Sequence, residues 1–520
     1  MNHQVSDRLA RLRGRGGTYG ALLAPAVGLL VLGLLVPFVL GDPIGRRTTR
    51  GIDASGDLGV LGDGGNAVAA PDGSSTATTA SGGPSAPSDG AATVAPGTPG
   101  APGDHPGAVG TGVSPSGETL GPSDVGVTAE EIRVAVLVPN LGGFGGAGFA
   151  VDLGDSRAAF GAFFEELNRA GGVNGRRIAA SYIDFDPLND SSMRAACLQA
   201  TEDLKVFATF NVNGFYGPGP LCVTEEHRTP LIQAYYSDPD EWYERSNNLY
   251  ITAFPSKDRA LRNLVHEMHA RGALEGKTIG IVDSDYPFDK SASENTLIPT
   301  LRALGYDIAH RATLSSDTAT SQSQIPLEVQ RMQSAGVDTI FFAVYFVYAT
   351  TWVQQASNRQ YFPQYLQSDF ANGTSDGATD NMPSSYNGAI GVTSTRGGEH
   401  RIGRPRDPES QACIDRWNAI TGAPVEPQSG DEAIMLGACG SVDTFAAAGR
   451  SAGADLTRER LRDGFTSLGE VRFPLMAPFT WRPGKTDGGD QVRLVQWHFE
   501  FQGEECKCWI PVDEFHPARS

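Results

Sequence analysis

Three groups of residues have types and spacing that could do chemistry. Gly143-Phe-Gly145-Gly-Ala-Gly148 fits the G-x-G-x-x-G pattern of a loop that brings a pyrophosphate to the amides of a helix start. A dinucleotide site also needs an acidic residue for the ribose, about 20 residues further along. The candidates here, Asp184 and Asp186, lie well beyond that distance. The loop is therefore read as a flexible strand-to-helix turn whose amides remain free for a polar or anionic ligand end. His266 and His269 stand i, i+3 on an expected helix and could present two ring nitrogens to a metal. No third ligand follows at a matching spacing, so they are read as a solvated helix face. Six cysteines form the third group, an even number that can pair fully. The sequence has no Gly-x-x-x-x-Gly-Lys-Ser/Thr phosphate loop. A dispersed triad would leave no such trace, so an exported α/β enzyme stays open as an alternative.

The elements that must position these residues are strands alternating with helices. Val134 to Pro139 is a short, continuous apolar run, as expected for a strand buried on both faces. Phe160, Phe163, Phe164 and Leu167 then recur along one helix face, and Gly171-Gly172 stops that helix. Strands follow at Ile178 to Asp184, Lys205 to Phe210 and Leu231 to Tyr235, with helices at Ser192 to Leu204 and Pro220 to His227. A second block repeats the alternation, with strands at Thr278 to Asp283, His310 to Leu314, Thr339 to Tyr345 and Tyr365 to Asp369. Such βαβ units imply parallel sheets with right-handed crossovers. Two blocks exceed one sheet, so two α/β lobes are expected, with ligands at the carboxyl ends of strands.

Composition sets the surroundings. The 520 residues hold 41 Lys+Arg against 60 Asp+Glu, a net charge of −19, with 40 % apolar residues. A real core is affordable, and a nucleic-acid partner is excluded because it needs a basic surface. Residues 21–41 begin with twenty uncharged residues, enough at about 1.5 Å each to cross a bilayer. Arg8, Arg11, Arg13 and Arg15 precede them and favour a cytoplasmic start, residues 1–20. An uncleaved anchor is preferred over a cleaved signal peptide, because the run exceeds a usual signal core. Either way the remainder is exported: a single-pass membrane protein with an extracytoplasmic head, or a secreted one. Residues 42–122 form a linker, and from 51 to 122 it is rich in Gly, Ala, Pro, Ser and Thr and has no Lys, Arg or aromatic residue. It is expected to stay disordered, with an r.m.s. span of about 45 Å over that tract.

GVTAEEIRVAVLVP (Gly126 to Pro139) and FGAFFEELNRAGGVNGRRI (Phe160 to Ile178) resemble the type I periplasmic solute-binding proteins of the branched-chain amino acid (Leu/Ile/Val) class. The resemblance spans roughly Gly126 to Phe370 and weakens beyond. It implies two Rossmann-like lobes with parallel-sheet cores, joined by a three-crossover hinge that closes on a small ligand. Crossovers near Phe254, Thr393 and Phe473 assign 123–254 plus 393–472 to lobe 1 and 255–392 plus 473–512 to lobe 2. The partner implied is an ABC-type permease; relatives also serve as sensory or receptor ectodomains. No cofactor is expected.

By the same resemblance the ligand loops carry Asn213, Gly214 and Phe215 after the third strand, and Tyr235, Tyr236 and Ser237 after the fourth. Across the hinge stand Tyr286, then Tyr345 and Phe346, then Asp369, which matches the acidic position that pairs with a ligand ammonium. Aromatic walls with polar tips suit a small amino-acid-like or polar metabolite. The family's usual small and hydroxyl residues for the ligand carboxylate are replaced by Asn213 and the two tyrosines, which departs from Leu, Ile or Val. Cys197 and Cys222 match the family's early disulfide, worth about 3 kcal/mol in the chain-entropy model. Cys413 with Cys439 would link two helices of lobe 1. Cys506 and Cys508 are left over, either bridged across one residue or paired otherwise.

Overall fold

A computed structural model describes residues 112–140, 154–427 and 429–519. The segments 1–20 and 21–41, the linker up to 111 and the Gly143–Gly148 loop lie outside the described residues. Among those described, no helix is long and apolar enough to cross a membrane. The last residues of the expected linker, 112–122, are folded. Val113 pairs with Thr119, and Leu120 is buried. The reason lies far along the chain: Arg176, almost fully buried, donates to the carbonyls of Gly121, Thr128 and Ala454.

Two sheets carry the fold. The first is wholly parallel and comprises β1 (Glu131–Pro139), β2 (Arg177–Phe185), β3 (Ala208–Asn211), β4 (Leu231–Gln233) and β5 (Tyr250–Thr252), ordered β2-β1-β3-β4-β5. Val134 and Val136 of β1 enter one core with Phe160, Phe163 and Phe164 of the helix Ser156–Arg169. Their neighbours Ala135 and Leu137 enter another core on the opposite face. Burial on both faces is why this strand reads as a continuous apolar run.

The second sheet comprises β6 (Ile279–Ser284), β7 (Ile308–Leu314), β8 (Thr339–Ala343), β9 (Gln364–Ser368) and β10 (Ile390–Thr393), all parallel to their neighbours. A short two-stranded pair, β11 (Glu470–Val471) and β12 (Phe479–Thr480), precedes β13 (Gln491–Phe501) and β14 (Glu504–Pro511). Those last two extend the second sheet antiparallel beyond β10, and β15 (His516–Pro517) pairs with β13. The antiparallel hairpin carries Trp497 and Trp509 into a core with Ile340 and Phe342.

The chain passes between the sheets three times. After β5 the helix Lys257–Ala270 packs against β9 and β10 of the second sheet. After β10 the helices Pro408–Thr421, Gly430–Ala452 and Arg458–Thr466 return to the core of the first. Phe473, Met476, Phe479 and Trp481 also pack in that first core. The third passage therefore comes later than Phe473, around Thr486 to Gln491, where Thr252 donates to the Thr486 carbonyl. Phe473 packs on the helix Gly430–Ala452 and Trp481 on Phe465 of the helix Arg458–Thr466, contacts that local sequence does not show.

Disulfides join Cys197 to Cys222, Cys413 to Cys439, and Cys506 to Cys508. The second ties the helix Pro408–Thr421 to the helix Gly430–Ala452.

Candidate functional site

Strand ends from both sheets converge on one crevice. From the first sheet, the loop after β3 supplies Asn213 and Gly214, and the loop after β4 supplies Tyr235 and Tyr236. From the second, the loop after β8 supplies Tyr345 and Phe346, and the loop after β9 supplies Ala371 and Asn372. Together they line a cavity of about 280 Å³. Ala371 and Asn372 hold left-handed backbone, φ 49° and 60°. Asparagine tolerates that conformation, but alanine pays about 1 kcal/mol or more, so the surrounding structure imposes it. The start of the helix Gly430–Ala452, capped by Ser429, closes one side, and Thr395 to His400 another.

Polar groups in this wall fall into two kinds. Three carboxylates are matched: Asp376 with Arg401 at 2.6 Å, Glu432 with Arg406 at 2.5 Å, and Glu399 with buried Arg493 at 2.7 Å. The amides of Asn213 and Asn372 are the second kind. Their side-chain oxygens are buried and find no hydrogen-bond partner among the described residues. Such a buried, unmade hydrogen bond costs about 1–3 kcal/mol. Burial pushes the Tyr235 and Tyr236 phenols far above their ordinary range, so both stay neutral. The Tyr235 hydroxyl donates to the Pro474 carbonyl at 3.1 Å.

Beside the cavity the two sheets meet in an aromatic seam. Tyr216, from the first sheet's loops, stacks on Tyr236 at 5.4 Å and touches Tyr345 at 5.9 Å and Phe288 at 5.5 Å from the second. Gly217 has φ 63°, and a Cβ there would come within 2.3 Å of the Phe288 ring. Only glycine permits that approach. Beneath the seam lies Lys257, fully buried. Its ammonium is 2.9 Å from Asp289, 4.0 Å from Asp238, and 4.0 Å from the centre of the Phe288 ring. Asp238 in turn accepts from the Gly217 amide and the Tyr250 hydroxyl. Burial raises the Asp238 carboxyl to about 6, against the pull of Lys257. A second cavity of about 430 Å³ opens on the far side, with Tyr236 and Tyr345 in its wall as well.

The sequence-expected residues thus divide. Asn213, Gly214, Tyr235, Tyr236, Tyr345 and Phe346 line the first cavity, while Tyr286 lines the second and its hydroxyl donates to Asp190. Phe215, Ser237 and Asp369 line neither. Phe215 is fully buried against Phe185, at 5.2 Å, and Ser237 is buried behind the seam. Asp369 is saturated from within: it accepts from the hydroxyls of Thr374, Thr393 and Ser394 and from the Ser394 amide. Its carboxylate is engaged by these neighbouring groups of the same lobe. His269 bonds to the Tyr306 hydroxyl at 2.8 Å, on the outer side of the helix Lys257–Ala270.

Asn372 and Lys257 escaped the sequence reading, though each left a signal. Asn372-Gly373, shortly after a strand, is a turn signature with left-handed backbone. Lys257 is a cation at the start of a helix, where the macrodipole opposes it, so an unusual partner was to be sought.

This arrangement of two strand-end loop sets facing each other across a crevice has relatives. The periplasmic binding protein family matches residues 131–503, most of the chain. The chain belongs to this family. Among curated protein sequences nothing matches it. Among solved structures, a solute binding protein of an ABC transporter from Rhodopseudomonas palustris BisB5, in complex with 3,4-dihydroxy benzoic acid, is similar at TM-score 0.56 and 14 % identity. The match covers 75 % of this chain and 98 % of that one. A fatty acid ABC transporter substrate-binding protein from Thermomonospora curvata gives TM-score 0.53 and 16 % identity, covering 78 % and 96 %. A leucine binding protein from Thermotoga maritima MSB8 gives 0.54 and 13 %, covering 74 % and 98 %. The fold is the type I, extracytoplasmic ABC-type solute-binding fold, as the resemblance of Gly126–Pro139 and Phe160–Ile178 implied. For a periplasmic binding protein the crevice, rather than a surface groove, is the place to look for a ligand.

Proposed function

We propose that this chain captures a small solute in the 280 Å³ cavity by hinged closure of its two lobes, releases it chemically unchanged, and hands it to an ABC-type permease. The observation that carries this reading is the double origin of the cavity wall. Asn213, Tyr235 and Tyr236 come from one lobe, and Tyr345, Phe346 and Asn372 from the other, so closure and binding are coupled. The rings of Tyr235, Tyr236, Phe254, Tyr345 and Phe346 stand in the wall, which suits a ligand with an apolar body. The amino-acid-like version of the ligand rested on Asp369, and with that carboxylate saturated it loses its ammonium partner. Residues 21–41 would hold this head outside the cell, on the tether that follows them.

The test is a thermal-shift screen of small metabolites on the full chain. A solute at 100 times its Kd adds about 2.7 kcal/mol to the folded state. Tyr345→Ala removes a ring from the wall and is expected to abolish most of that gain. A library without a single stabilising solute, or a gain indifferent to Tyr345→Ala, overturns the proposal.

A further inference from the structure

We infer that the cavity selects uncharged solutes: a small molecule with an apolar, ring- or chain-like body and a carboxamide- or alcohol-type polar tip. The inference rests on the solute-binding reading and deepens it.

A charged ligand group enters a closed crevice only where an opposite charge, or a dense set of donors, replaces its water. Most of the wall's charges are already committed to one another, while Asp407 has no ion pair among the described residues. Asp376 is held by Arg401, Glu432 by Arg406 and Glu399 by Arg493. Arg396 lies against Glu399 at 3.6 Å and donates to the Met476 carbonyl. Asp407 caps the helix Pro408–Thr421, accepting from the Ser410 amide. The carboxylate of a zwitterion would have to draw an arginine away from one of these pairs. A carboxylate would share the wall with Glu432 and Asp376, each of which repels it. Neighbouring carboxylates thus act against anions, and the matched arginines offer no compensation.

The unmade hydrogen bonds point the same way. Asn213 and Asn372, one from each lobe, are neutral groups with both donors and acceptors. A neutral tip bearing an N–H or O–H satisfies such an oxygen after a small side-chain rotation. Each lobe then gains a hydrogen bond only in the presence of the solute, which favours the closed arrangement.

The experiment compares matched pairs on the full chain by calorimetry and thermal shift: 4-hydroxybenzamide against 4-hydroxybenzoate, hexanamide against hexanoate, and free leucine. The amides are expected to bind at least about tenfold more tightly than their carboxylates, and leucine not to bind. Asn213→Ala and Asn372→Gly, the latter compatible with the left-handed backbone, are each expected to weaken amide binding about tenfold without lowering the melting temperature of the free protein. Tighter binding of the carboxylates or of leucine overturns the charge inference and leaves the solute-binding reading standing. Amide binding unchanged in both variants overturns the role given to the asparagines. Absence of binding by every probe, together with failure of the broad metabolite screen, overturns both readings.

Discussion

At Lys257 each charge brought between the sheets has a partner, whereas at Asn213 and Asn372, in the same crevice, buried amide oxygens have none among the described residues. The seam runs Gln233, Tyr250, Asp238, Lys257, Asp289 and Ser284 from β4 to β6 through hydrogen bonds and ion pairs. The rings of Tyr216, Tyr236 and Phe288 cover it. The cavity beside it is walled by some of the same rings but leaves polar groups unsatisfied. One region satisfies its polar groups within the protein; the other gains hydrogen bonds only when something is bound. Tyr236 and Tyr345 belong to both, so the seam fixes the rings against which a solute packs. Burying ions for stability alone is a poor exchange, since apolar residues of equal volume do as well. The seam is better understood as setting the relative position of the lobes.

Breaking the seam should produce the largest effect. Lys257→Ala leaves Asp289 and Asp238 buried without their cation and is expected to cost about 3–5 kcal/mol by urea denaturation. Adding Asp289→Asn should return part of that loss. A cost below about 1 kcal/mol would show that water, not Lys257, compensates those carboxylates.

The pH dependence is next in size. The Asp238 carboxyl is raised from 3.8 to about 6 in the folded state, so the native chain binds its proton more tightly than the unfolded chain does. Its contribution to stability is complete below pH 3.8 and is lost as pH rises through about 6, by roughly 3 kcal/mol. Denaturation midpoints between pH 4 and 6.5 should fall accordingly, and Asp238→Asn should flatten that part of the slope. An identical slope in the variant would assign the titration elsewhere.

Gly217→Ala tests the contact of the lobes directly, since its Cβ would strike Phe288 and its φ disfavours a side chain. A loss of about 1–3 kcal/mol is expected in the thermal midpoint, together with weaker solute binding because the lobes stand further apart. Asn213→Ala sharpens the contrast from the other side. It removes an unsatisfied buried group, so stability should stay within about 1 kcal/mol of the parent, on the favourable side. The same alanine costs little if the amide is idle in the free protein, whereas a loss above 2 kcal/mol would mean that Asn213 already has a partner.

The alternation of apolar strands with amphipathic helices was legible throughout. Val134–Pro139, Ile178–Asp184 and Thr339–Tyr345 fall within a residue or a few of β1, β2 and β8, because both faces of a parallel strand must be apolar. The strands β5 and β10 were passed over, being only Tyr250–Thr252 and Ile390–Thr393, too short for a period to register. The antiparallel β13–β14 hairpin was also missed, with Arg493, His498 and Glu500 interrupting its apolar pattern. Arg493 is nonetheless fully buried, because Glu399 and the carbonyls of Thr395 and Gly397 receive it from a distant loop.

The candidate site was legible where it depends on position along a strand. Asn213, Tyr235, Tyr236 and Tyr345 follow strand ends, and strand ends face the crevice in this fold. What sequence alone determined was therefore local and periodic: the βαβ order, the two sheets and the loops that reach the crevice. Tertiary structure alone decided the fate of each polar side chain. Asp369 looks like a ligand group until three hydroxyls from neighbouring loops surround it, and Lys257 looks like a surface cation until two carboxylates and three rings enclose it. Hydrogen bonds and ion pairs act over a few ångströms in space and carry no period in sequence, so partners from distant segments leave no mark on the residues that receive them.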